Sequence, residues 1–366
     1  MGKVFEVFGY PAVDEKPAAE ESRRGANCPF MDGPCDGGGN RHLSNLDLAA
    51  DPELEEYFEW APSPDHVPAG ICSIRPSIAS DPWIVCPRRL LVLGRQAAGE
   101  RRCQVEIERL VVELFEYAPG TRLGVWPEVK LKGKDPLGQG ERRFDQTFDY
   151  ILMPLGDLDR KAAPGLDWKN AEAWERAGYR VEADTIHDAP VGAPAVLEIM
   201  TSSTSGGNKE KGTTIPMAFR RTIIDGHPAE GPGINYRQVW ARMASQLVVK
   251  SEIAVEWGGA ALWVLQDVLA RYISDTTGLD LAPLQSNRLG EVNILSLSYG
   301  GQGHEAEGVI ELADPVLYAG PIAGAEGSLE HGYGFLDIVR AGVKPSRHHL
   351  LSALLRRPPA NEILVS

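Results

Sequence analysis

Two short apolar segments of this chain each contain one acidic residue. Asp149 lies within residues 148–152, and Glu198 lies within residues 195–200. Both segments have the length and composition of a buried β-strand. Because a carboxylate buried without a partner is strongly destabilising, a hydrophobic core normally excludes such residues. A shared Mg²⁺ ion would explain both positions, since carboxylate oxygens suit this cation. The alternative is a pair of acids at strand edges that face solvent.

Cysteine usage provides a second constraint. Four of the five cysteines lie in the first quarter of the chain: Cys28, Cys35, Cys72 and Cys86. The chain begins Met-Gly-Lys-Val without an apolar signal segment, so we expect a cytoplasmic protein, in which disulfides rarely persist. Four clustered thiols then indicate a tetrahedral metal site, for which iron and zinc are both suitable. Cys103 opens a helical pattern and is expected to be a free thiol.

Five segments of the sequence share a pattern with one enzyme family. They are Cys28-Pro29-Phe30, residues 83–89, Phe148-Asp149-Tyr150, residues 196–199 followed by Thr201, and residues 231–235. In combination these segments resemble the NotI-type restriction endonucleases, over most of the chain from Cys28 to about Leu295. Members of that family are bacterial, dimeric type II enzymes that cut a long GC-rich palindrome in double-stranded DNA. They carry iron on four cysteines and use Mg²⁺ at a PD-(D/E)xK site.

The resemblance implies roles for individual residues. The four cysteines of the first quarter match the structural metal ligands. Asp149 and Glu198 match the two carboxylates that bind Mg²⁺, and Glu128 matches an additional upstream acid of the active site. We therefore expect catalysis by a homodimer that contains two kinds of metal, Mg²⁺ together with iron or zinc.

The position two residues after Glu198 departs from the usual motif. A lysine is usual there, whereas this chain has Met200, which can neither donate a proton nor orient water strongly. Lys209 follows at the family's own lysine position and is a candidate for the missing cation. The alternative is that Lys209 is an ordinary surface residue in a loop.

The expected fold class is α/β. The resemblance implies a PD-(D/E)xK catalytic domain over residues 96–366, with a mixed sheet flanked by helices. Residues 1–95 would form an N-terminal arm and the four-cysteine module. Within residues 1–95, residues 1–26 carry little apolar pattern and are expected to form a mobile or dimer-swapped arm. Apolar periodicity predicts helices over residues 51–58, 105–117, 236–255 and 266–273, and further strands over residues 123–131, 260–265 and 293–299.

The charge balance limits the way in which the chain can bind DNA. There are 37 basic and 51 acidic residues, and the net charge of −14 argues against a non-specific DNA coat. A sequence-specific protein needs only a local positive surface. The candidate DNA-binding residues are Arg88, Arg89, Lys209, Arg237 and Arg242. No membrane partner is expected, because no run approaches the ~18 apolar residues that a membrane helix needs.

Three functions are consistent with these patterns. The first is a Mg²⁺-dependent type II restriction endonuclease. The second is another PD-(D/E)xK nuclease, for example one of DNA repair or of a mobile element. The third is a catalytically silent DNA-binding relative, in which Met200 marks an inactive site.

Overall fold

The fold is described from a computed structural model for residues 2–38, 45–61, 67–77, 79–93, 102–134, 143–205, 207–277, 285–299, 308–310, 312–320, 322 and 345–365. The strands are β1 (Lys3–Val7), β2 (Tyr10–Pro11), β3 (Asn27–Cys28), β4 (Gly33–Pro34), β5 (Ile71–Arg75), β6 (Trp83–Ile84), β7 (Arg122–Lys134), β8 (Arg143–Asp159), β9 (Arg180–Glu182), β10 (Thr185–Pro190), β11 (Ala195–Met200), β12 (Ala260–Gln266), β13 (Val292–Ser298), β14 (Ala313–Gly320) and β15 (Asn361–Leu364). The helices are α1 (Pro17–Arg24), α2 (Pro52–Tyr57), α3 (Pro87–Leu90), α4 (Arg102–Leu114), α5 (Ala171–Arg176), α6 (Ile215–Ile224), α7 (Tyr236–Glu256), α8 (Asp267–Thr277) and α9 (Arg347–Leu354). Within this part of the chain, no helix is both long and apolar enough to cross a membrane.

A large mixed sheet forms the centre of the molecule. Its strand order is β14–β13–β12–β11–β8–β10–β9, and β7 pairs with β8 and β15. Strands β11, β12 and β13 are parallel and are connected through α7 and α8, whereas β8 runs antiparallel to β11. Apolar side chains such as Trp257 and Leu262 cover the sheet in separate clusters. The expected mixed α/β architecture is confirmed.

A second, four-stranded sheet is built from the N-terminal residues. Its order is β2–β1–β5–β6, and the pairing of β1 with β5 runs from Lys3 opposite Arg75 to Val7 opposite Ile71. Because Val7 is fully buried, the first strand is part of a hydrophobic core. Residues 2–26 therefore belong to the folded unit of their own chain, and the expectation of a mobile or dimer-swapped arm over residues 1–26 is wrong for them.

The N-terminal unit is completed by a segment from beyond residue 95. Helix α6, which follows β11 in the chain, packs Phe219 edge-on against Phe8 at a centroid distance of 5.6 Å. Further along, the Val4 N–H donates to the Ala229 carbonyl at 3.0 Å. The boundary expected at residue 95 therefore does not separate two independent cores, because α6 belongs with the first sheet.

A buried ion pair joins the two sheets. Arg89 Nε donates to Glu6 Oε1 at 2.6 Å, and both side chains are fully buried. Glu6 Oε2 accepts from Ser73 Oγ at 3.1 Å and from the Tyr299 hydroxyl at 2.7 Å, while Arg89 Nη2 donates to the Ile310 carbonyl at 2.5 Å. Arg89 was expected to contact DNA, but its guanidinium lies in the interior and is engaged by Glu6. The structure is inconsistent with that expectation.

We predict that Arg89→Met strongly destabilises the protein. The substitution leaves Glu6 buried without its cationic partner, which should cost about 3–5 kcal/mol of the free energy of unfolding in urea denaturation. The matched control is Lys132→Ala, which removes an exposed ion pair with Asp145. The control should cost no more than about 1 kcal/mol. Equal losses in the two variants would contradict the role of the buried pair.

Candidate functional site

Three adjacent strands bring three acidic residues to the same level of the central sheet. Tyr150 of β8 pairs with Pro127 of β7 on one side and with Leu197 of β11 on the other. Both neighbours run antiparallel to β8, so the adjacent positions are also brought level: Glu128, Asp149 and Glu198. The register therefore places the three predicted active-site acids side by side.

These acids line an open cleft of about 540 Å³. Its wall includes Gly38, Pro87, Arg88, Glu128, Asp149, Tyr150, Glu198, Met200, Ser202, Ser203, Gln246 and Lys250. All four predicted catalytic positions, Met200 included, thus lie in one cleft. The side chain of Met200 is half-buried and contributes an apolar surface to it.

Burial controls the ionisation of the two central carboxyls. The Ile199 N–H donates to Asp149 Oδ2 at 2.8 Å. Burial raises the pKa of Asp149, and this hydrogen bond opposes the rise. Burial also raises the pKa of Glu198 to about 8, with an opposing contribution from Lys250 and a reinforcing one from Asp149. Burial thus opposes the ionisation of both carboxyls, and a nearby cation favours their charged forms.

Lys250 of α7 supplies one such cation. Its Nζ donates to Glu198 Oε2 at 2.5 Å, and both side chains are almost completely buried. The ammonium also lies 5.4 Å from the Phe148 ring centroid and 5.8 Å from that of Trp263. The sequence interpretation did not identify this residue as part of the site.

The sequence does contain a signal for the burial of Lys250, which is its position on the helix. Lys250 follows Val239 by three helical turns and Leu247 by three residues, so it lies within the apolar stripe of α7. A lysine in that stripe must be buried, and a buried lysine needs a counter-charge.

The second oxygen of Glu198 is suitable for a metal ion. Glu198 Oε1 is buried and has no hydrogen-bond partner among the described residues. Such an orphaned carboxylate oxygen beside Asp149 fits a hard cation such as Mg²⁺. Across the described ranges, no group of three His, Cys, Asp or Glu side chains is already arranged to ligate an ion. The fit therefore rests on the donor atoms of Asp149 and Glu198.

Glu128 has an unusual backbone conformation at the rim of the cleft. Its φ is +50°, a left-handed value that costs energy in a residue with a side chain. The residue is exposed, and its charge contributes to the raised pKa of Asp149 after the larger effect of burial. Because strained backbone conformations cluster at functional sites, this conformation supports a functional role for Glu128.

The predicted DNA-binding residues are distributed over several places. Arg88 lies in the cleft wall, whereas Lys209 lies on an exposed loop before α6. The two candidate cations for catalysis are Lys209 and Lys250, and the structure places Lys250 beside Glu198. Arg237 and Arg242 belong to α7, and their side chains lie outside the described part of the structure.

The four N-terminal cysteines are free thiols that lie near one another. Cys28, Cys72 and Cys86 share one buried cluster, with Cys35 packed against it. Burial raises the pKa of Cys28 to about 12 and the pKa of Cys35 well above its usual value. A hydrogen bond between Cys72 and Cys86 raises the pKa of Cys72 and lowers that of Cys86.

Backbone N–H groups surround these thiols. Gly9 N donates to Cys72 Sγ at 3.3 Å, and Gly37 N donates to Cys35 Sγ at 3.5 Å. Backbone donors at Met31 and Phe30 partly oppose the rise that burial causes in the pKa of Cys28. For Cys86, backbone donors at Arg88 and Arg89 add to the hydrogen bond with Cys72 in lowering the pKa. Donors directed at sulfur stabilise thiolates, which are the form that binds iron or zinc. The thiols are donors of the kind that a soft metal binds, although among the described residues no three of them are arranged around a common point.

Comparisons with known proteins add no assignment. No protein-family model, curated protein or solved structure matches this chain.

We predict a characteristic pH dependence of stability for Glu198→Gln. Because the pKa of Glu198 is raised from 4.5 to about 8, the folded state retains a proton that the unfolded state releases in this range. The stability that this group contributes is complete below pH 4.5 and is lost as the pH rises towards 8. The variant lacks this loss, so its stability should rise relative to wild type between about pH 5 and about pH 8.

This pH effect is measured by urea denaturation of both proteins in EDTA. The substitution also alters the contact between residue 198 and Lys250, so the informative quantity is the difference between the two pH slopes and not the absolute stability. Parallel pH profiles would contradict the raised pKa.

Proposed function

We propose that this chain is a Mg²⁺-dependent type II restriction endonuclease that cuts a GC-rich palindromic site in double-stranded DNA. The meeting of Asp149, Glu198 and Lys250 in one open cleft is the observation that carries this proposal. The substrate class is supported by the resemblance of the five sequence segments to NotI-type endonucleases.

The carboxylates would hold the catalytic metal. Asp149 and the unpaired Oε1 of Glu198 face the same cleft, while Glu128 at its rim would bind a second ion or orient the first. When bound, Mg²⁺ supplies Lewis acidity, which lowers the pKa of water and offsets negative charge on the leaving oxygen. The Ile199 N–H fixes the orientation of Asp149 by its hydrogen bond to Oδ2.

Lys250 takes the place of the lysine that position 200 lacks. Its Nζ holds Glu198 Oε2, which leaves Oε1 free for a metal. The ammonium also provides a fixed positive charge beside the cleft, where negative charge develops on the phosphate during hydrolysis. Met200 then needs no catalytic role beyond its apolar contact, and this argues against the silent alternative.

A homodimer follows from the proposed substrate. The two strands of a palindromic site are related by a two-fold axis, so a symmetric pair of active sites can cut both strands. The proposed structural centre in each subunit is one iron or zinc ion on the thiolates of Cys28, Cys35, Cys72 and Cys86.

A plasmid rich in CG-containing palindromes tests the function directly. Incubation with the purified protein and Mg²⁺ should give discrete fragments, and omission of Mg²⁺ should prevent cutting. A smear would indicate a less specific nuclease, and retention of the DNA without cutting would indicate the silent relative. The Asp149→Asn variant controls for contaminating nucleases, and sequencing of the fragment ends identifies the site.

We predict that the catalytic lysine can be moved from the helix to the strand. Lys250→Met should lower the cleavage rate by ~10²–10³-fold, because a fixed charge near the reacting phosphate is lost. Met200→Lys in the same protein should restore part of the rate, since position 200 lines the same cleft.

Lys209→Ala is the matched control for this exchange and should cleave at the wild-type rate. Single-turnover cleavage with saturating enzyme measures all four proteins, and circular dichroism confirms that each is folded. Loss of activity in Lys209→Ala together with full activity in Lys250→Met would reverse the assignment of the cation.

We also predict that Cys86→Ser loses the structural metal. The variant should contain less than stoichiometric iron or zinc and should melt at a lower temperature, because a structural metal site contributes folding energy. Cys103→Ser is the control and should retain both properties. Elemental analysis that finds neither metal in the wild-type protein would contradict the proposed centre.

A further inference from the structure

Arg88 lies where the cysteine cluster meets the catalytic cleft. It follows Cys86 by two residues in α3, and its own backbone N–H contributes to the stabilisation of the Cys86 thiolate. Its side chain lies in the wall of the cleft that contains Asp149 and Glu198. The residue is thus connected by its backbone to one site and by its side chain to the other.

The guanidinium of Arg88 is held by a second segment of the cysteine cluster. Arg88 Nε and Nη2 donate to Asp36 Oδ2 at 3.1 and 3.0 Å. Asp36 directly follows Cys35, whose sulfur accepts the Gly37 N–H. Two chain segments that each carry a cysteine of the cluster therefore determine where this guanidinium lies.

A further contact of Arg88 points towards the catalytic strand. Arg88 Nη1 lies 3.5 Å from the hydroxyl of Tyr150, the residue after Asp149. The Arg88 side chain keeps 19% of its surface exposed, so it can reach a ligand in the cleft. A guanidinium binds phosphate oxygens through paired N–H groups, a geometry that a lysine cannot reproduce.

The neighbouring arginine shows that this orientation is fixed. Successive residues of a helix point about 100° apart, and Arg89 is directed into the interior, where it pairs with Glu6. The buried pair therefore prevents rotation of the short helix α3. Arg88, one position earlier, lies in the wall of the cleft.

We propose that Arg88 binds the scissile phosphate of DNA and that Asp36, together with the cysteine cluster, is the device that positions it. This inference rests on the proposed endonuclease function. It gives the cluster a role in turnover as well as in folding. Asp149 and Glu198 lie on the central sheet, so loss of the Asp36 contact should displace Arg88 and leave these carboxylates in place.

A double-mutant cycle on Asp36 and Arg88 tests the positioning role. Asp36→Asn should retain the metal and the melting temperature while lowering kcat at least ~10-fold, with little change in KM. Arg88→Lys should lower kcat more, and the double variant should be no worse than Arg88→Lys alone, because in this proposal Asp36 affects kcat through Arg88. Asp188→Asn, which neutralises one of the two exposed acids paired with Arg122, is the matched control and should leave kcat unchanged.

The salt dependence of DNA binding tests the phosphate contact without cleavage. In an Asp149→Asn background, Arg88→Gln should reduce the magnitude of the log K against log salt slope by about 1, whereas Arg122→Gln should not change it. Additive losses in the cycle would overturn the positioning role of Asp36. Wild-type kcat in Arg88→Lys, or an unchanged slope in Arg88→Gln, would overturn the phosphate contact.

Failure of the proposed function has a different signature. One possible result is that the wild-type protein cuts no DNA while its salt dependence of DNA binding still changes in Arg88→Gln. That result would refute the endonuclease function, and with it the claim that Arg88 contacts the scissile phosphate. If the wild-type protein cuts DNA and Asp36→Asn cuts it equally fast, only the positioning of Arg88 by Asp36 is refuted.

Discussion

The buried pair of Glu6 and Arg89 is the interaction on which the arrangement of the two sheets depends. Glu6 comes from the first strand, Arg89 comes from α3, and the Tyr299 hydroxyl that completes the pair follows β13 of the central sheet. A buried ion pair is a poor source of stability, but the loss of either partner is costly. Such a pair favours one relative placement of its elements. That placement carries Cys86 and Arg88 with it, because both lie within three residues of Arg89.

The arrangement of acids in the cleft depends instead on strand register. Glu128, Asp149 and Glu198 are level because Tyr150 pairs with both neighbours of β8, and a shift of one residue in either pairing would turn an acid to the other face. The stretch of chain between β8 and β11 leaves this register intact, since it folds as β9, β10 and α5 at the far part of β8. Sequence separation between the acids is therefore no measure of their distance.

Much of the fold could be predicted because local patterns were unambiguous. Helix α7 and strand β12 end within one residue of the expected positions, and the acids at positions 149 and 198 stood out as charges in apolar strands. Strand β1 was missed because its partner β5 lies more than sixty residues away, and Lys250 was missed because Glu198 lies fifty-two residues away. Arg89 was expected on the surface for the same reason, because its partner Glu6 is distant in sequence and composition does not reveal a buried ion pair. Each of these errors concerns an element or side chain whose partner is distant in sequence.

The charges in the cleft couple the binding of its two proposed ligands, Mg²⁺ and DNA. Glu128, Asp149 and Glu198 face the cleft together with Lys250 and Arg88, and both cations are engaged by acids, Lys250 by Glu198 and Arg88 by Asp36. In the proposed enzyme, the phosphate of DNA would enter a site whose carboxylates repel it. A metal ion favours the ionised form of Glu198 and at the same time offsets its charge, so metal binding releases a proton and reduces the repulsion. Binding of metal and binding of DNA should then reinforce each other, by the reciprocity that holds for any two coupled ligands. An acidic chain can in this way retain a DNA site whose positive charge is supplied in part by the ion.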